Sequence, residues 1–168
     1  GYWPMAYHPG KNSLYIPYFD VCVDRTGNLQ SLNGHLRTPV PRPGSDPNAL
    51  AGIAKGDMAT GQIQRIYTAP VPGNGAVLAT AGDLIFWGDL NRRFRALNAE
   101  SGKILWETIL GGVIQTSTIT YSVNGRQYVA VLTGDGTSGT SGPLGVLPEI
   151  HTPRGHNAIY VFALPEQR

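Results

Sequence analysis

The sequence predicts an all-β protein assembled from short antiparallel strands. Between residues 81 and 133, apolar or alternating runs recur at regular spacing and are separated by turn signals. The chain has 22 Gly and 13 Pro dispersed among such runs, which suits many tight turns and argues against long helices. Asn124-Gly125 is the strongest hairpin signal, because both central residues of a type I′ turn need a positive φ.

The central stretch predicts a meander of antiparallel strands. Leu84 to Trp87 form an apolar strand, and Arg93 to Leu97 alternate charged with apolar residues after a turn at 89–91. A tight turn at 100–102 then leads into Ile104 to Trp106. Further strands are predicted at 63–67, 119–123, 127–131 and 158–164.

The turn before Trp106 has a spacing with a physical explanation. Gly102 supplies backbone freedom, Asn98 can bond the local backbone, and Trp106 lies on the strand that follows. A ring there can wedge between neighbouring sheets and bury about 150–250 Å², although a core Trp of a β-sandwich is the alternative. Residues 96–106 resemble the tryptophan-docking repeat of quinoprotein propellers, which runs Ala-x-Asp, three residues, Gly, three residues, Trp. Only the Asp is changed here, to Asn98.

A weaker second copy of this pattern lies upstream. Asp57 and Gly61 precede Asn98 and Gly102 by 41 residues each. A period of about 40 residues is typical of one propeller blade of four strands. In this copy Arg65 takes the place of the Trp. The pair of copies therefore predicts propeller blades of four antiparallel strands.

The first residues predict two strands, at 3–9 and 13–17, around a turn at 10–12. They resemble a quinoprotein dehydrogenase segment, Asn-Trp-x-Pro-Met-Ala-Tyr-x-Pro, whose Asn reaches the quinone in that family. Gly1 stands at the position of that Asn. The chain opens with no basic region followed by an apolar one, so its first residues are not those of a signal peptide. We expect that the beginning of the protein is absent from this chain.

Cys22 is the only cysteine. It is either a small buried hydrophobe or, as the resemblance implies, a residue bridged to an upstream Cys that this chain does not contain. Residues 24–50 then lose all periodicity and contain four prolines. A stiff surface loop is favoured there over a polyproline ligand.

Two segments carry the cofactor prediction. Residues 69–88 resemble a family segment that reads Pro-Trp-Asn-Gly-Gly-Val-Leu-Ala-Thr-Ala-Gly, whose Trp lies near the cofactor's carboxylates. Gly73 takes the place of that Trp and Asn74 is kept, although a flexible turn is the alternative. Gly134, Asp135 and Gly136 stand where the family has a Ser-Gly-x-Gly-Gly turn whose backbone approaches the quinone. The predicted cofactor-binding residues are thus Gly73, Asn74, Gly134, Asp135 and Gly136. Asp135 is expected to cap its own turn, because an anionic ligand repels a carboxylate.

From residue 3 to 164, apart from the loop, the chain resembles the C-terminal part of a pyrroloquinoline quinone (PQQ)-dependent alcohol dehydrogenase of the methanol and ethanol dehydrogenase type. The resemblance implies that 1–168 is one propeller segment, with a Pro-rich loop at 24–50. This segment would form three to four blades of an eight-bladed ring, which is therefore incomplete. It also implies PQQ, a calcium or lanthanide ion, a small alcohol substrate, a cytochrome c electron acceptor and a periplasmic location. In that family the catalytic Asp and the metal ligands lie upstream, so no catalytic or metal-binding residue is predicted in this chain.

Composition excludes some functions and leaves two classes. A net charge of +2 without any block of basic residues gives no sign of a nucleic-acid partner. No run approaches the roughly 18 apolar residues that a membrane span needs. The chain is either part of an enzyme or part of a non-catalytic propeller that binds proteins through its blade edges and loops. Asn74-Gly75 and residues 134–136, which stand in a dehydrogenase-like context, favour the enzyme, because a scaffold needs only the Gly and Trp of the repeat.

Overall fold

The computed structural model describes residues 4–22, 39–134, 146–153 and 155–164, and its regular structure there is almost entirely β. Sheet 1 contains β1 (Ala6–His8), β2 (Ser13–Phe19), β5 (Ala51–Asp57) and β6 (Ile63–Ala69). Sheet 2 contains β7 (Leu78–Ala79), β8 (Leu84–Gly88), β9 (Arg93–Asn98) and β10 (Ile104–Ile109). Sheet 3 contains β11 (Val113–Ile114), β12 (Ile119–Val123), β13 (Arg126–Gly134) and β14 (Ala158–Ala163). The prediction of an all-β chain built from four-stranded antiparallel sheets is confirmed.

The strand order explains how the sheets are built. Sheet 1 has the order β1-β2-β5-β6 and sheet 2 the order β7-β8-β9-β10, so each is an antiparallel meander. In sheet 3, β11 and β12 pair along one edge of β13, and β14 pairs along the other edge. The hairpin between β12 and β13 has a φ of 51° at Asn124 and 78° at Gly125, as the type I′ prediction requires.

The predicted Pro-rich loop is partly ordered where the structure describes it. Short strands β3 (Val21–Cys22) and β4 (Val40–Pro41) pair with each other, and a 3-10 helix spans Pro47–Ala49. The loop ends at the buried Leu50, whose carbonyl accepts the Asp20 N–H at 2.6 Å. The end of the loop is therefore packed on sheet 1. Cys22 is half-buried and its thiol is free.

The two copies of the repeat form the same turn. In the first, Asp57 Oδ1 accepts the N–H groups of Ala59 and Thr60 at 2.9 and 2.8 Å, together with the Thr60 hydroxyl. In the second, the side-chain oxygen of Asn98 accepts the corresponding groups 41 residues later. Both turns close with a glycine at positive φ, 72° in the first copy and 68° in the second. The weak repeat is therefore a real structural repeat.

The two copies differ in where the outer strand bulges. In sheet 2 the register shifts between Ile104 and Trp106, so that Trp106 pairs with Ala96 and faces sheet 3. Its ring packs edge-on against Phe162 of β14, with the centroids 5.1 Å apart. The prediction that Trp106 wedges between neighbouring sheets is confirmed, although 39% of the residue stays exposed.

In sheet 1 the bulge of the outer strand, β6, lies nearer to the end of the strand. It falls between Arg65, which pairs with Ala54, and Tyr67, which pairs with Ile53. A shift of one residue turns a side chain to the other face of a sheet. Arg65 therefore faces away from sheet 2, where it stacks on the Tyr18 ring at 4.7 Å and pairs with Asp20 at 3.2 Å. Tyr67 makes the contact between sheets instead, edge-on to Trp87 of β8 at 5.8 Å.

Sheet 2 is buried on both faces. One core cluster joins it to sheet 1 and includes Tyr15, Ile53, Ile85 and Trp87. The Tyr15 hydroxyl crosses this interface and donates to the Ala99 carbonyl at 2.9 Å. Burial raises the pKa of Tyr15 to about 12, with a further contribution from the nearby acidic side chains. A second cluster joins the other face to sheet 3 through Phe94, Ile114 and Val131 among others.

We expect Trp106→Ala to lower the free energy of unfolding by about 3 kcal/mol, the lower end for deleting a large aromatic, because the ring is only partly buried. Leu105→Ala is the matched control, since Leu105 lies in the bulge and is 53% exposed. It should cost less than about 1 kcal/mol. Chemical denaturation of the complete protein gives both values, and equal losses would contradict the docking role of Trp106.

The repeat also predicts a pH effect. Hydrogen bonds from the Thr60 N–H and hydroxyl, and from the Ala59 N–H, hold the pKa of Asp57 below its usual range. A carboxyl with a lowered pKa in the folded state adds stability above about pH 4 that is lost as the pH falls further. Asp57→Asn should keep the turn, as Asn98 does, and reduce the drop in melting temperature between about pH 6 and pH 3. The reciprocal variant, Asn98→Asp, should increase that drop, and parallel melting curves for all three proteins would contradict this expectation.

Candidate functional site

Gly73 and Asn74 lie beside the place where the three sheets meet. The N–H of Ala76 donates to the Thr116 carbonyl of the connection between β11 and β12 at 3.3 Å, and the N–H of Val77 donates to the Pro4 carbonyl just before β1 at 3.1 Å. The residues that lead into β7 are thus bonded to the inner edges of both neighbouring sheets. Gly73 and Asn74 immediately precede this junction.

Gly73 is packed too tightly for any side chain. A methyl group at this position would lie 2.5 Å from the Gly88 carbonyl oxygen and 2.5 Å from the indole of Trp87. The Trp that the sequence comparison places at position 73 has no room here, because the Trp87 ring from β8 fills that space. The glycine is required by packing within the protein.

The same explanation holds for Gly75, whose neighbour is backbone, whereas the neighbour of Gly134 is a side-chain atom that can move aside. A methyl group on Gly75 would lie 2.7 Å from the Thr116 carbonyl oxygen, and one on Gly134 would lie 2.9 Å from Asn157 Oδ1. Gly134 ends β13, whereas Gly73 precedes β7. The residue that matches Gly134 in sheet 2 is therefore Gly88, at the end of β8, and not Gly73.

Gly73, Asn74 and Gly134 nevertheless lie on the same side of the sheets. Leu90, just past the end of β8, donates its N–H to the Pro72 carbonyl at 3.0 Å. Gly88 contacts Ile114 of β11, since a methyl group there would lie 2.5 Å from the Ile114 side chain. The ends of β8 and β13 and the connections into β7 and β11 therefore form one face. Asp135 and Gly136 lie outside the described residues, so the predicted turn cap of Asp135 stays a prediction.

A buried ion pair stands at this face, and sequence reasoning missed it. Asp89 is 1% exposed and accepts Arg95 Nη1 at 2.7 Å and the Arg93 N–H at 3.0 Å. Arg95 also pairs with Glu107 through Nε at 2.6 Å, and its guanidinium lies 5.7 Å from the centre of the Tyr67 ring. Burial raises the pKa of Asp89, while the Arg95 guanidinium opposes that rise.

A signal for this pair was present in the sequence. Gly88-Asp89 and Gly134-Asp135 both follow a buried strand, and the first of them bonds its own turn through the Arg93 N–H. The alternation in β9 suggested that Arg95 is exposed with Arg93. Because sheet 2 is covered on both faces, the Arg95 side chain is buried instead.

The described residues offer no metal site. They contain no group of three or more His, Cys, Asp or Glu side chains that could hold a metal ion. Within the described ranges, no helix is long and apolar enough to cross a membrane. A shallow surface depression lies around the Val123–Tyr128 hairpin and includes none of the candidate residues.

Comparison with known proteins finds a matching family model and several similar enzymes. The family model described as the β-propeller domain of glucose, ethanol and alcohol dehydrogenases, named PQQ, matches residues 50–129. Quinohemoprotein alcohol dehydrogenase of Comamonas testosteroni is 36% identical over 178 residues, covering 96% of this chain and 24% of that protein. Lupanine 17-hydroxylase (cytochrome c) of a Pseudomonas species is 32% identical over 145 residues, covering 84% of this chain and 20% of that protein. The chain thus spans between a fifth and a quarter of these curated relatives.

The fold is similar to that of a solved structure as well. A europium-containing methanol dehydrogenase superposes with a TM-score of 0.71 at 24% identity, covering 96% of this chain and 32% of that one. At this identity the likeness shows the fold alone. The sheets of this chain therefore correspond to part of a larger propeller.

Gly73→Ala should destabilise the protein by about 1–3 kcal/mol, because the Gly88 carbonyl cannot move away from the added methyl group without distorting β8. Gly82→Ala is the matched control, since a methyl group there would meet nothing closer than 3.9 Å. It should change the stability by less than about 0.5 kcal/mol. Thermal or chemical unfolding of the complete protein measures both, and equal effects would show that position 73 has room for a side chain.

Proposed function

Because sequence and fold both assign this chain to the PQQ-dependent dehydrogenase β-propellers, we propose that it is part of an enzyme that oxidises an alcohol. The bound quinone accepts the hydride equivalent in such enzymes. The observation that carries the proposal is the junction at Ala76 and Val77, where backbone hydrogen bonds join the inner edges of all three sheets. Asn74 lies two residues before this junction, and we propose that it contacts the quinone there.

The described residues suit an anionic planar ligand. Asn74 brings an amide donor without a charge, and backbone N–H groups can bind anionic oxygens. The buried carboxylate of Asp89 also lies at this face. It accepts hydrogen bonds from Arg95 and the Arg93 N–H, so its charge is paired and does not repel an anion. Asn74, the Gly73 backbone and the Gly134 backbone are the described residues that we propose to contact PQQ, with Asp135 and Gly136 completing the set.

The other components come from outside this chain in the proposal. The catalytic base and the ligands of a calcium or lanthanide ion would be supplied by the rest of the enzyme, since the described residues hold no acidic or His cluster. A small alcohol is the proposed substrate and a cytochrome c the proposed electron acceptor. A periplasmic location would fit these partners.

We expect Asn74→Ala to weaken PQQ binding by about ten- to a hundred-fold in the full-length enzyme, the effect of one lost hydrogen bond to a charged ligand, with little change in melting temperature. Gln64→Ala is the matched control, because Gln64 is an exposed amide on the outermost strand of sheet 1. It should leave the affinity unchanged. Titration of the quinone-free enzyme with PQQ and calcium chloride gives the dissociation constants.

The outcomes separate the two functional classes. Equal affinities of Asn74→Ala and the parent would remove Asn74 from the site while leaving the enzyme in place. A full-length parent protein that binds no PQQ would contradict the dehydrogenase proposal and favour a non-catalytic scaffold.

A further inference from the structure

Residues 87–90, at the end of β8, form the surface against which residues 71–73 pack. Leu90 donates its N–H to the Pro72 carbonyl at 3.0 Å, and its buried side chain packs in the same cluster as Val71. Gly73 in turn lies against the Trp87 indole and the Gly88 carbonyl. Residues 87–90 therefore determine where the backbone ahead of Asn74 can run.

Asp89 is one of these residues, and its hydrogen bonds join them to β9. Its Oδ1 accepts the Arg93 N–H at 3.0 Å, its Oδ2 accepts Arg95 Nη1 at 2.7 Å, and its own N–H donates to the Arg93 carbonyl at 3.0 Å. The turn that follows includes Arg92 at a φ of 67°, a conformation that L-residues rarely adopt. The carboxylate thus stabilises a turn that has an unfavourable residue in it.

Arg95 is held on several sides and so fixes the carboxylate in turn. Glu107 pairs with it through Nε, while the rings of Tyr67 and Trp87 lie 5.7 and 6.0 Å from its guanidinium carbon. Only 6% of the Arg95 side chain is exposed. A planar guanidinium confined in this way has one geometry in which it can bond Asp89.

We propose that Asp89 and Arg95 are a positioning pair that fixes the Gly73-Asn74 backbone for the ligand at the junction of the sheets. This inference rests on the proposed function. The pair does not touch the ligand. Its effect passes through the Leu90 N–H and the Trp87-Gly88 surface to the backbone that carries Asn74.

The alternative is that the pair contributes to stability alone, and Glu107 offers a matched control. Asp89→Asn and Glu107→Gln each remove one carboxylate from Arg95, but only Asp89 lies in the turn that bonds Pro72. In the full-length enzyme, Asp89→Asn should weaken PQQ binding by about ten-fold, whereas Glu107→Gln should stay within about two-fold of the parent. Both affinities are measured by titrating the quinone-free enzyme with PQQ and calcium chloride.

Amide hydrogen exchange in the quinone-free enzyme provides a second readout. Asp89→Asn should speed the exchange of the Leu90 N–H by about ten-fold, and Glu107→Gln should not, because only the first loosens the bond to Pro72. If the pair contributed to stability alone, the exchange of the Leu90 N–H would become faster to the same extent in both variants.

The results distinguish this inference from the proposed function. If the parent binds PQQ and Asp89→Asn binds it equally well, the positioning role is wrong while the dehydrogenase proposal stands. Equal losses in Asp89→Asn and Glu107→Gln would also overturn the positioning role. If the parent binds no PQQ, the proposed function fails, and with it the assignment to a ligand. Should Asp89→Asn not fold, Asp89→Ser, whose hydroxyl can still accept the Arg93 N–H, is measured in its place.

Discussion

The structure depends on the burial of both faces of sheet 2, the central one of the three. A propeller sheet has no polar face to turn to water, so each interface needs side chains that fill the space between two twisted surfaces. Rings fill it here, Tyr67 against Trp87 on one side of sheet 2 and Trp106 against Phe162 on the other. Among the described residues, no further sheet covers the outer face of sheet 3, which exposes Ile119, Val123, Leu132, Ile159 and Val161. A surface of this kind fits a chain that spans a quarter or less of its curated relatives.

Local chemistry made much of this fold predictable from the sequence. The turns of the repeat are determined by one side-chain oxygen and one glycine, and the hairpin at Asn124-Gly125 by two residues with positive φ, so neither depends on distant contacts. The bulge positions were not predictable in this way. The register shifts between Ile104 and Trp106 in β10 and between Arg65 and Tyr67 in β6, and no local pattern in either strand marks these positions. Strand β5 was missed for a related reason, because its two glycines and a lysine carry no strand signal of their own.

At the candidate site, the sequence predicted where the glycines stand but not why they are glycines. The related family segment has a Trp at the position of Gly73, and this chain has a Trp at position 87. No local sequence pattern connects these two positions, because they meet only in the folded structure. The structure shows that the indole of Trp87 fills the space beside Gly73, so a ring is present in this region but comes from a different strand. Gly75 is likewise explained by its close contact with the Thr116 backbone.

The interface between sheets 1 and 2 has an exposed ion pair at one end and a buried ion pair at the other, and this difference bears on the role of the buried pair. At the end away from the candidate site, Lys55 pairs with Glu100, whose side chain is 64% exposed, and such pairs add little stability. At the candidate end, Asp89 and Arg95 are almost fully buried, which costs desolvation that apolar residues of similar volume would avoid. Stability alone therefore does not account for charges at that end. What an apolar pair could not supply is the directional bonding that holds the Asp89 turn, and through the Leu90 N–H this turn determines the path of the backbone to Asn74.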